Sequence, residues 1–154
     1  MGLAPEVDSM ADQGQVRETY HAAIQHDMID LSGDEHLAGV VRRPTGWFRS
    51  VVDANYPELG PPEDLLDETK RVQEEFAIGG MCDEGAHNAA WEETDFEARY
   101  RNYVTESGEA AALLDRIAER VRDGETVVLV CFEGTEKRCH RHILVEFLRD
   151  RVAN

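Results

Sequence analysis

Thr126–Phe132 reads TVVLVCF, a run with no polar side chain after its first residue. Successive side chains of a strand point to opposite faces. A run that is apolar at both parities therefore buries both faces, as a central strand of a parallel sheet does. Upstream, Ser107 is placed to cap a helix whose stripe is Ala110, Leu113, Leu114, Ile117, Ala118 and Val121, with Gly124 as its stop. Downstream, the loop Glu133–Cys139 leads into a helix with Ile143, Leu144, Phe147, Leu148 and Val152 on one side. A doubly buried strand between two amphipathic helices is the repeating unit of an α/β fold.

Working towards the N-terminus, His36–Arg42 (HLAGVVR) reads as a second strand, closed by Arg43-Pro44-Thr45-Gly46. Tyr20–Gln25 (YHAAIQ) reads as a first or edge strand, and Trp47–Gly60 as irregular. Pro61-Pro62-Glu63-Asp64 opens a helix, since proline lacks the donor left unpaired there and acids favour the positive end of the dipole. Its stripe runs from Leu65 to Phe76 and stops at Gly79-Gly80. Thr94 and Glu97 have capping-box spacing ahead of Phe96, Tyr100, Tyr103 and Val104. The expected architecture is a small layered α/β domain, a mainly parallel sheet flanked by helices. It is expected over 18–154, after a flexible N-terminal tail at 1–17.

Of the 154 residues, 32 are acidic and 16 basic, a formal net charge of −16. Only Lys70 and Lys137 are lysines. Such a chain repels itself in dilute buffer, whereas in molar salt the Debye length falls to about 3 Å and screens that repulsion. The composition fits a salt-filled cytoplasm. It argues against delocalised nucleic-acid binding, which needs a basic face and weakens steeply with salt. Three cysteines make no disulfide framework. The first residues carry no secretory signal, and no apolar run has the length of a membrane span. No membrane association is expected.

In parallel sheets ligands bind beyond the carboxyl ends of strands, which singles out the loops after Arg42 and after Phe132. Arg42, Arg43 and Arg49 cluster in the first, with no acid between Gly39 and Val52; Lys137, Arg138, His140, Arg141 and His142 cluster at the second. Cations at a helix start face the positive pole of the dipole. Unpaired N–H groups and arginine forks there make a seat for an anion. Alternatively, the protein's own acids neutralise these cations in a structural network. The candidate ligand-binding residues are Arg42, Arg43, Arg138, Cys139 and Arg141. Glu133, just past the strand, and His140, with a pKa near neutrality, are the candidate proton-handling catalytic residues.

A cysteine-dependent phosphatase cradle has five residues between cysteine and arginine, whereas six separate Cys131 from Arg138. Cys139, at a helix start beside cations, is the better candidate for a low-pKa thiol. Cys82, His87, Cys139 and His140 match no strong zinc spacing, so neither a metal nor a cofactor is expected.

Several segments together resemble the family catalogued as domain of unknown function 488. These are the strand leading to Val41-Arg42-Arg43-Pro44, Leu59-Gly60-Pro61-Pro62 with Leu65-Leu66 and Lys70, and the helix of Phe96 and Tyr100. Above all they include Val130-Cys131-Phe132-Glu133 followed by Cys139-His140-Arg141. The resemblance covers about residues 20–148. It implies a compact α/β fold with a site at Arg42, Glu133, Cys139, His140 and Arg141, and carries no reaction with it. The expected function is a small enzyme acting on an anionic small molecule, phosphorylated or nucleotide-like. The alternative is a non-catalytic anion-sensing or protein-docking module in which Cys139-His140-Arg141 is structural.

Overall fold

The computed structural model describes residues 14–134 and 136–153. Strands β1 (Val16–Tyr20), β2 (His36–Gly39), β3 (Ala54–Asn55) and β4 (Val127–Cys131) form one parallel sheet in the order β1-β4-β2-β3. β4 is flanked on both edges, by β1 in the register Val16↔Val127 and by β2 in the register His36↔Val127. All five of its residues are buried, as the unbroken apolar run requires.

The helices are α1 (His21–Gln25), α2 (Gly46–Val51), α3 (Glu63–Ile78), α4 (Asp83–Glu93), α5 (Phe96–Glu106), α6 (Gly108–Arg122) and α7 (Arg141–Ala153), with a 3-10 turn at Pro57–Leu59. α6 and α7 pack on each other and against the sheet, while α1 and α2 pack together beside β1 and β2. The core joins Val127–Cys131 to Leu114, Ile117, Ala118 and Val121 of α6 and Leu144 and Leu148 of α7. Ser107 Oγ accepts from Ala110 N, and Gly124 leaves α6 at φ 104°, both as the sequence predicts.

Four local expectations are corrected. Tyr20–Gln25 is not a strand: the strand lies earlier, because Val16 and Thr19 are the buried residues that pair along β4, and Ala23 then buries within the short α1. Val16 and Arg17, assigned to the tail, belong to β1; residues 1–13 of that tail lie outside the described residues. Trp47–Gly60 is ordered into α2, β3 and the 3-10 turn, with Thr45 Oγ1 capping Phe48 N. Thr94 and Glu97 form no capping box. Asp95 takes a left-handed conformation (φ 52°), and the Thr94 hydroxyl turns back to the Ala90 carbonyl at 2.8 Å, ending α4 instead.

Candidate functional site

Beyond the carboxyl ends of β2 and β4 lies a cleft of about 350 Å³. The chain leaves β2 still extended: Val40 N donates to Val130 O, and Val41 exchanges two hydrogen bonds with the Asn55 amide, at 3.1 and 2.9 Å. This fixes the loop that carries Arg42 and Arg43. Opposite, the loop after β4 is tied to α4. The His87 Nε2–H donates to the Arg138 carbonyl (2.8 Å), Asn88 Nδ2 donates to the Glu136 carbonyl, and Arg138 N donates to Asn88 Oδ1. Trp91, Phe96 and Tyr100 stack in sequence, and Tyr100 meets His140 edge-on at 5.4 Å.

Arg42, Arg43, Glu133, Arg138, Cys139 and His140 all line this cleft. Arg141 does not. It is 2% exposed: its Nε donates to Glu18 Oε1 at 3.1 Å, and its Nη1 to Cys131 Sγ at 2.7 Å and to the Glu133 carbonyl. Arg42 and Arg141, both candidate ligand-binding residues, are therefore not brought to one cleft. Breaking a buried pair costs about 3–5 kcal/mol, more than the roughly 1.5–3 kcal/mol that a charged hydrogen bond to an anion returns. Glu18, which also accepts from His142 Nδ1, is the residue sequence reading missed. It sits on an edge strand, 123 residues from its partner.

The other cations are partnered more loosely. Arg43 meets Asp67 at 3.0 Å and Glu63 at 3.7 Å, and Arg138 meets Glu92, all with exposed side chains. Such pairs are worth about 0–1 kcal/mol, so a ligand can recruit both arginines. Arg42 donates to the carbonyls of Pro61 (3.0 Å) and Gly60 (3.1 Å) and to the Tyr103 hydroxyl (2.9 Å), with no carboxylate among these partners. Glu133 lies 3.7 Å from Lys137, which pairs more closely with Asp83 at 2.6 Å. Lys70, which the sequence offers as one of two lysines, also lines the cleft, and among the described residues no carboxylate lies within 4 Å of it.

His140 is buried, and its Nε2 lies 2.6 Å from the Val40 carbonyl. Burial lowers its pKa, outweighing the carbonyl's support for the charged form. For Cys139, burial opposes ionisation, but a hydrogen bond from Cys131, the Arg141 charge and the Arg141 N–H together hold the thiol below its ordinary range. Burial pushes Cys131 well up. Cys82, His87, Cys139 and His140 do not converge as a metal set: Cys82 Sγ accepts from Gly85 N, and the two histidines bond to backbone carbonyls. Among the described residues no group of three or more His, Cys, Asp or Glu could hold a metal ion. Among them, too, no helix is long and apolar enough to cross a membrane.

No curated protein and no solved structure matches this chain. A family model described as the active DUF488-N3 subclade, DUF488-N3a, matches residues 24–152, which include both strands, both loops and the Cys139-His140-Arg141 helix start that build the cleft. The chain thus belongs to the DUF488 family, within its N3a subclade.

Proposed function

We propose that this protein is a small enzyme acting on an anionic small molecule held in the cleft between the loops after β2 and β4. The observation that carries this reading is the charge of the cleft. In a chain of net charge −16, the described lining holds four cations, Arg42, Arg43, Lys70 and Arg138, against the single carboxylate of Glu133. The same lining includes the apolar side chains of Leu66, Trp91, Phe96 and Phe132. A phosphorylated or nucleotide-like molecule has the matching parts, a charged group for the cations and a flat or apolar body for the apolar side chains. In this reading Glu133 and His140, both in the lining, handle protons.

The burial of Arg141 favours a second reading, a non-catalytic anion-sensing or docking module in which this residue only locks the loop. The two separate on whether a ligand is returned changed.

Thermal shift in molar potassium chloride, with inorganic phosphate and nucleoside mono- and triphosphates as probes, tests the binding. An anion present at about a hundredfold its Kd should stabilise the fold by about 2.7 kcal/mol, and Lys70→Ala should abolish the shift while leaving the unliganded Tm in place. A panel in which no anion moves the Tm would sink the reading.

A further inference from the structure

Anion binding leaves two thiols at the floor of the cleft unexplained. Cys131 ends β4 and Cys139 stands two residues before α7; both are at most 2% exposed, and both line the cleft. Cys139 Sγ lies 3.6 Å from His140 Nδ1. Because a carbonyl only accepts, the contact of His140 Nε2 with the Val40 oxygen fixes the proton on Nε2. In the neutral ring Nδ1 then presents its lone pair to Cys139. A nucleophile, a base within reach of it and a third group orienting the base make the arrangement that activates a thiol.

Cys131 adds something that a nucleophile alone does not need. Its sulfur accepts from Arg141 Nη1 at 2.7 Å, its own S–H points to the Glu133 carbonyl at 3.8 Å, and it shares the lining of the cleft with Cys139. The base stands beside Cys139, not Cys131, and burial holds Cys131 protonated against the pull of the Arg141 charge, so Cys139 is the thiol inclined to ionise. A second thiol against the first has no part in breaking down an acyl or phosphoryl adduct, but it is what resolves a mixed disulfide.

We infer that Cys139 is a catalytic nucleophile with His140 as its base and Cys131 as the resolving thiol, and that the cleft takes a small disulfide bearing anionic groups, which it reduces. The inference rests on the cleft reading above and assigns its chemistry. His140 Nδ1 takes the Cys139 proton, and the thiolate attacks one sulfur of the substrate disulfide. A Cys139 mixed disulfide forms, and the first substrate thiolate leaves with that proton. Cys131 then attacks the Cys139 sulfur, its proton passing to the second departing thiolate. Two protein thiols are oxidised to one disulfide, and one substrate disulfide is reduced to two thiols.

The test uses a Cys82→Ser background, because Cys82 is exposed and outside the cleft. The reduced protein is mixed with glutathione disulfide, which is net anionic, or with cystamine, which is cationic, and the products are mapped by mass. The expected product is a Cys131–Cys139 disulfide, formed at least about tenfold faster with the anionic probe, as a cationic cleft steers it. Cys131→Ser should halt at a glutathione adduct on Cys139, and Cys139→Ser should leave Cys131 unreacted. His140→Asn should shift the pH profile of the reaction towards that of an ordinary thiol, near about 8.5. If a serine variant fails to fold, iodoacetamide labelling of the Cys82→Ser chain answers instead, with Cys139 expected to label ahead of Cys131. Failure to form the Cys131–Cys139 disulfide, or a Cys139 no more reactive than in the urea-unfolded chain, overturns the inference. Equal rates with the two probes overturn the anionic substrate. Selective oxidation by glutathione disulfide, with phosphates and nucleotides giving no thermal shift, would sink the phosphorylated or nucleotide-like ligand proposed above while upholding the thiol pair. A thermal shift with an inert Cys139 would do the reverse.

Discussion

Arg141 serves three partners from one guanidinium: the Glu18 carboxylate, the Cys131 sulfur and the Glu133 carbonyl. Its planar fork places these donors in fixed directions, which a lysine ammonium on a flexible stem does not reproduce. Arg141→Ala leaves the Cys131 sulfur and the Glu133 carbonyl without this donor, and the Glu18 carboxylate with His142 alone. Urea unfolding should show a loss of roughly 3–5 kcal/mol, the range for breaking a buried pair. Arg141→Lys should recover only a minor part of it. A loss under about 1 kcal/mol, the worth of an exposed pair, would show that the guanidinium is not held as described. Glu18 is 30% exposed, so Glu18→Gln, which keeps an acceptor in place, should be milder than either.

At the scale of elements, the cleft depends on the closeness of two backbone segments. A Cβ on Gly60 would sit 2.4 Å from Arg42 N and 2.8 Å from Arg42 Cα, so the turn at Pro57–Leu59 and the loop after β2 touch along their main chains. The hydrogen bonds from Arg42 to Gly60 and Pro61 hold that contact. Gly60→Ala forces the two segments apart and should destabilise the fold by about 1–3 kcal/mol, as overpacking does. It should also weaken any anion-induced thermal shift, because α3 with Lys70 begins just beyond; an unchanged shift would detach the turn from the site. Much at this scale was legible in the sequence. β4, α3, α6 and α7 follow from apolar periodicity and end signals, and the rule that loops at strand ends carry ligands brought Arg42, Arg43, Glu133, Arg138, Cys139 and His140 to one cleft. α4 was not legible. Its buried face is Ala86, Ala90 and Trp91, with Gly85 inside the helix, a pattern too weak in large apolar residues to announce itself. Yet α4 anchors the loop after β4 through His87 and Asn88. The place of Arg141 was hidden for another reason, since whether a cation is free depends on a partner far away in sequence.

Across the whole molecule, the net charge of −16 acts on every element at once. The described ion pairs are mostly exposed and individually weak, so they do not offset the general repulsion. Raising potassium chloride from about 0.1 M to about 1 M shortens the Debye length from about 10 Å to about 3 Å, and the Tm should climb across that range. A Tm that stays level or falls would contradict adaptation of this chain to concentrated salt. The sheet order has a different consequence, one in time. β1 and β2 do not pair with each other; each pairs with β4, whose residues come after six of the seven described helices. Closing the sheet means joining ends separated by roughly a hundred residues of chain, and such distant pairings form slowly. On the ribosome, therefore, β1 waits without a partner, and β2 with only the short β3 on its far edge, until the segment Val127–Cys131 has emerged, and that interval is when the nascent chain is most open to aggregation.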